Sequence, residues 1–138
     1  MKLILLSLFY LFLSQEKYSF DDYNINCCDF ERSDSIELDS IPEVPEIRNS
    51  VTSQWNSESK PFACHYIIVQ WGCGTGCQMN AIYDLIDGKL NKTFNSTNGI
   101  EFNGNSKLIR INADPKWSLE AAFYVFEEDD LVKLPNNP

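Results

Sequence analysis

The sequence predicts a mainly β domain, an antiparallel meander of about six short strands with at most one or two short helices, α+β if those helices form. Three observations carry this reading. β-branched and aromatic residues gather in short runs, as at 65–71 and 121–126. Turn residues punctuate those runs closely, at 72–77, Asp87-Gly88, 95–99 and Asn103-Gly104-Asn105. One stretch, with Val44, Ile47, Val51 and Trp55, has apolar residues at helical spacing, and Pro45 suits a first helical position.

The first element is not structural. Residues 3–13 are apolar except for Ser7 and Tyr10, with Lys2 before them and Ser14, Gln15, Glu16 and Lys17 after. Spanning a bilayer takes ~20 helical residues, so this shorter run reads as a secretory signal peptide over residues 1–14. The mature chain is expected to begin near Gln15 or Glu16, secreted or periplasmic, and no later segment is apolar enough for membrane insertion.

Twenty acidic residues stand against 11 basic ones, a net charge of −9. Such a chain is repelled by phosphate backbones and anionic lipid, which argues against nucleic acid as a partner. The carboxylates crowd toward the start: Glu16, Asp21, Asp22, Asp29, Glu31, Asp34, Glu37, Asp39, Glu43 and Glu46, with only Lys17, Arg32 and Arg48 among them. Residues 15–43 therefore read as an acidic, loosely ordered extension, and 44–138 as a single compact β-rich domain. Calcium is not expected, because the run lacks alternating ligands closed by a glycine turn and a distal Glu.

Within the domain, residues 65–71 are the clearest strand. Gly72, Gly74 and Gly76 then favour turn conformations. Residues 79–86 and 89–94 read as a hairpin about Asp87-Gly88, followed by short strands at 100–102 and 108–111 and a turn at Asp114-Pro115. Residues 121–126 and 131–134 close the meander through a turn at 127–130.

Five cysteines in an exported chain are read first as disulfide partners, and an odd number leaves one free or intermolecular. Cys73-Gly74-Thr75-Gly76-Cys77 is the one motif that composition does not explain. A disulfide closing a tight ring between two strands is the leading reading. A redox pair would have one residue more than the usual spacing and no helix N-terminus beside it. A metal site would need Cys64 and His65, which alternate faces on a strand, so no metal or other cofactor is expected. A backbone nest remains as a ligand cradle, making Gly74, Thr75, Gly76 and Gln78 the candidate binding residues. His65, the one histidine, would share a face with Ile67, Val69 and Trp71 if the strand began there. Trp55, Trp71, Trp117, Tyr124 and Phe126 read as core or core edge.

The pieces Phe62-Ala63-Cys64-His65-Tyr66, Trp71-Gly72-Cys73-Gly74-Thr75-Gly76-Cys77-Gln78, Asp84 to Gly88-Lys89, Ser106-Lys107-Leu108-Ile109 and Phe123-Tyr124-Val125-Phe126 resemble a group of exported bacterial proteins of uncharacterised function. That pattern has glycine where Cys64 stands. The resemblance therefore implies that Cys64 lies outside the common disulfide and pairs with Cys27 or Cys28, tethering the extension. In layout the chain is also similar, more distantly, to the periplasmic inhibitors of vertebrate lysozyme, which present a disulfide-closed loop between strands. Their loop carries a histidine and charge that Gly74-Thr75-Gly76 lacks. One histidine, no nucleophile motif and no metal-ligand cluster, beside a glycine-rich loop on a stapled sheet and a strongly acidic charge, point to a non-catalytic binding protein, an inhibitor or immunity protein for a basic exported partner. The competing expectations are a thiol-redox protein using Cys73 and Cys77, or a hydrolase using His65 and a carboxylate.

Overall fold

The computed structural model describes residues 17–57, 60–113 and 121–135. The expected signal peptide, the Asp114-Pro115 turn and Trp117 lie outside the described residues. A 3-10 turn (Phe20–Tyr23) precedes one helix, α1 (Pro45–Asn56), whose start is set by Pro45, since its fixed φ and missing N–H cost nothing there. Among the described residues seven strands follow: β1 (Tyr66–Gly74), β2 (Cys77–Asp84), β3 (Leu90–Ser96), β4 (Ile100–Phe102), β5 (Leu108–Ile111), β6 (Ala122–Glu127) and β7 (Asp130–Lys133). The fold is mainly β and antiparallel. The meander is divided into two sheets, β1-β2-β3 and β4-β5-β6-β7.

The division follows from what each face of the first sheet buries. Ile67, Val69, Trp71, Ala81 and Tyr83 share one core with Val51 and Trp55 of α1 and with Ile41. Ile68 and Ile82, paired directly across the strands, join the other core with Phe62, Ile109, Ile111 and Phe126. A sheet covered on both faces needs no polar alternation, which is why residues 65–71 read as a near-continuous apolar run. β1 is an edge strand of this sheet. Gln54 of α1 occupies that edge: its Oε1 accepts from the Gln70 N–H at 2.8 Å, and its Nε2 donates to the Gln70 carbonyl at 2.6 Å. That clamp covers the edge at Gln70, and Tyr66 exchanges backbone hydrogen bonds with Phe62 at its start.

Residues 17–43, expected as a solvated extension, are laid along the domain with little regular structure. Widely spaced apolar side chains anchor them: Ile25 packs on the second core, while Ile36 and Leu38 pack on the first. Tyr83, fully buried, donates its hydroxyl to the Glu37 carbonyl at 2.9 Å, and burial pushes its phenol up to about 12. Ser33 N–H donates to the Leu85 carbonyl and Glu37 N–H to the Gly88 carbonyl. Gly88, at φ 74°, lies so close under this strap that a Cβ there would sit 1.9 Å from the Ser35 carbonyl oxygen. The crossing also explains the β2–β3 connection. Instead of a two-residue Asp-Gly turn, residues 85–89 form a longer loop, because Leu85 is buried and its N–H donates to the His65 carbonyl.

Candidate functional site

The β1–β2 hairpin carries the motif singled out in the sequence. Gly72 pairs with Gln78 and Gly74 with Cys77, so Cys73 is the extra residue of a β-bulge, and Thr75-Gly76 forms the two-residue connection. Gly74 (φ 122°) and Gly76 (φ 66°) take conformations that a side chain rarely adopts. The bulge turns Cys73 toward Cys77, and the two are disulfide-bonded with Cα atoms 5.1 Å apart. Residues 72–76 are all exposed, and the nearest neighbour a Gly76 Cβ would meet is the Thr97 methyl at 3.8 Å. Gln78 is half-buried at the base, paired with Ser96.

Beneath the tip lies a polar ladder that the sequence reading missed. Fully buried Asn80 accepts from Gln70 Nε2 at 2.6 Å and donates to Ser96 Oγ at 3.0 Å and to the Phe94 carbonyl at 3.2 Å. With Gln54 holding the Gln70 backbone, the hairpin stem is fixed from the helix to β3. A fully satisfied buried amide network rigidifies its strands, whereas a half-satisfied one would be costly. The only hint in the sequence was amides at alternate positions of facing strands.

At the far end of the same hairpin, Cys64 is bonded to Cys27, with Cα atoms 5.2 Å apart, and Cys28 is free and exposed. His65 departs from its expected place. Ala63 (φ 43°) and Cys64 (φ 73°) are left-handed, and Phe62 and Tyr66 exchange backbone hydrogen bonds around them. His65 therefore belongs to a turn rather than to β1, one third exposed, with Nε2 3.7 Å from Asp84 Oδ2. That distance is beyond hydrogen bonding. Its ring lies on Tyr66, centroids 4.2 Å apart, and Phe126 meets Tyr66 edge-on at 4.9 Å. Among the described residues, no three His, Cys, Asp or Glu side chains converge as metal ligands. No helix among them is long and apolar enough to cross a membrane.

No family model, curated protein or solved structure matches this chain. The structure brings Gly74, Thr75 and Gly76 together with Cys73 and Cys77 at one exposed tip. It places Cys64 and His65 beyond the other end of β1, a strand roughly 26 Å long at ~3.3 Å per residue step. The tip exposes its backbone and one hydroxyl but carries no charged side chain, so what it can do is present shape.

Proposed function

We propose that this chain is a secreted or periplasmic, non-catalytic binding protein, and that the clipped β1–β2 tip is pressed against a basic partner protein. One observation carries the reading: an exposed loop is held in a conformation only its glycines readily take, by a disulfide across its base and a buried amide ladder below. A loop already ordered forgoes the cost of immobilisation, ~0.5–1.5 kcal/mol for each side chain that would otherwise be fixed on binding. The net charge of −9 suits a basic partner and acts mainly on association rate. An inhibitor or immunity role toward an envelope-targeting basic protein is the specific form proposed. Two disulfides are compatible with an oxidising compartment.

The test is capture from an envelope extract by wild-type protein, by Thr75→Arg, and by Cys73→Ser/Cys77→Ser. The reading expects one basic protein retained by wild type and lost from both variants. Equal capture by all three, or none by any, contradicts it. The exposure of Cys73 favours a second reading, a thiol-redox protein. Equilibration with a glutathione buffer separates the two: ready opening of the Cys73–Cys77 bond supports redox chemistry, and resistance supports a structural clip.

A further inference from the structure

We infer that the cavity between the Cys64 turn and the β6–β7 turn receives an arginine side chain of a basic protein segment. This rests on the binding reading above, but it places charge recognition at the opposite end of the β1–β2 hairpin from the tip. The cavity measures about 230 Å³. Small-molecule sites run to roughly 300–1,000 Å³, so this one suits a single side chain better than a whole metabolite. Buried Ala63 and Phe126 are among its apolar lining, and the Tyr66 ring, backed by His65, is aromatic wall.

The lining is charged on one side. Glu127, Glu128 and Asp129 are exposed carboxylates of the β6–β7 turn, opposed by a single ammonium, Lys107. Neither Glu127 nor Glu128 has an ion-pair partner among the described residues. Asp129 Oδ1 accepts from Asn91 Nδ2 at 2.9 Å, which steadies the carboxylate. Neighbouring Asp130 is already paired with Lys92 at 2.5 Å and is not counted. Burial first, and then Asp84, Asp129 and Asp87, hold the Tyr66 phenol above its ordinary range, so a negative field reaches this ring.

An aromatic wall beside fork-accepting carboxylates discriminates between cations. A guanidinium stacks flat on a ring and donates two parallel hydrogen bonds to a carboxylate, whereas an ammonium is a compact, strongly hydrated point charge. Arginine is the better match.

The turn itself supplies a clean test. Glu128 (φ 49°) and Asp129 (φ 61°) are both left-handed, in a two-residue connection that favours Asn-Gly. Glu128→Asn/Asp129→Gly therefore removes two carboxylates, and the exposed Asn91–Asp129 hydrogen bond with them, while relieving the backbone at both positions, and an unchanged Tm separates lost binding from misfolding. The experiment titrates full-length protein with end-capped Gly-Arg-Gly, Gly-Lys-Gly and Gly-citrulline-Gly, read by amide and aromatic NMR shifts. Saturable shifts at Tyr66, Phe126 and Asp129 are expected with the arginine peptide, weaker ones with lysine and none with citrulline. The turn variant is expected to lose about tenfold in affinity, the loss of one charge-assisted hydrogen bond, with no fall in Tm. Equal binding of citrulline, shifts mapping elsewhere, or undiminished affinity in the variant overturns the inference. Thr75→Arg serves as the control and should leave peptide binding intact. Partner capture that fails while the arginine peptide still binds would sink the tip reading and spare this one.

Discussion

Serine at Cys27 and Cys64 opens the longer of two covalent rings, and serine at Cys73 and Cys77 opens the shorter. The sequence separations are 37 and 4 residues. Cross-linking restricts the unfolded chain by an amount that grows with the logarithm of ring size. The chain-entropy relation gives ~4 kcal/mol for the Cys27–Cys64 ring and ~2 kcal/mol for the tip ring. At roughly 4 °C per kcal/mol, the tether variant should melt ~15 °C below its parent and the tip variant ~8 °C below. Both belong in a Cys28→Ser background, so that the free thiol can neither exchange into the remaining disulfide nor link two molecules. Thermal unfolding followed by tryptophan fluorescence reads the transition, since Trp55 and Trp71 are buried in the core under the strap. The consequence concerns function. A tip bond worth the smaller amount stabilises little beyond its own loop, as a clip on a presented surface should. Equal losses, or a greater loss from the tip pair, would refute that reasoning and make the tip bond a staple of the core.

Two further outcomes follow from the strap. Gly88→Ala sets a Cβ against the Ser35 carbonyl and forces a left-handed alanine. With the Glu37 hydrogen bond lost as well, it should cost about 2–3 kcal/mol; hydrogen exchange should show faster Ser33 and Glu37 amides with Val69 and Ala81 unchanged, and an unaltered strap would contradict the contact. Tyr83→Phe isolates the raised phenol. An unfolded tyrosine loses its proton near pH 10 while folded Tyr83 keeps it to about 12. The unfolded state then binds fewer protons, so this group's stabilisation is whole below pH 10 and falls by ~2 kcal/mol as pH rises to 12. Denaturant titrations of wild type and variant should converge across that window, and parallel profiles would count against it.

The strands and the helix were readable because their signals are local. Ile67, Val69 and Trp71 sit in a β-branched, aromatic run, and Pro45 opens a helix whose buried face is Val51 and Trp55. The tip was readable because three glycines in five positions leave the chain few choices. What failed to show depended on distant contacts. A run such as 66–71 says that both faces of its strand are covered, but not that one cover is a helix and the other a second sheet. Ala63 and Cys64 carry no mark of left-handed backbone, so His65 was expected on a strand. The extension is held by Ile25, Ile36, Leu38 and Ile41, too far apart to make a periodicity, and by Glu37 acting through its backbone. The arginine receptacle draws on Tyr66, Phe126 and Asp129, far apart in sequence and joined only by the packing of the two sheets.

The central claim is that the clipped tip is the working surface, and site-specific photocrosslinking in the native envelope tests it most directly. A photoreactive residue at Thr75 reports on the tip, and one at exposed Thr93 on β3 serves as the comparison. The account predicts a single discrete adduct from position 75 to a basic protein, abolished when Cys73 and Cys77 are both serine, and no adduct from position 93. No product from position 75, or the same products from both positions, would contradict it.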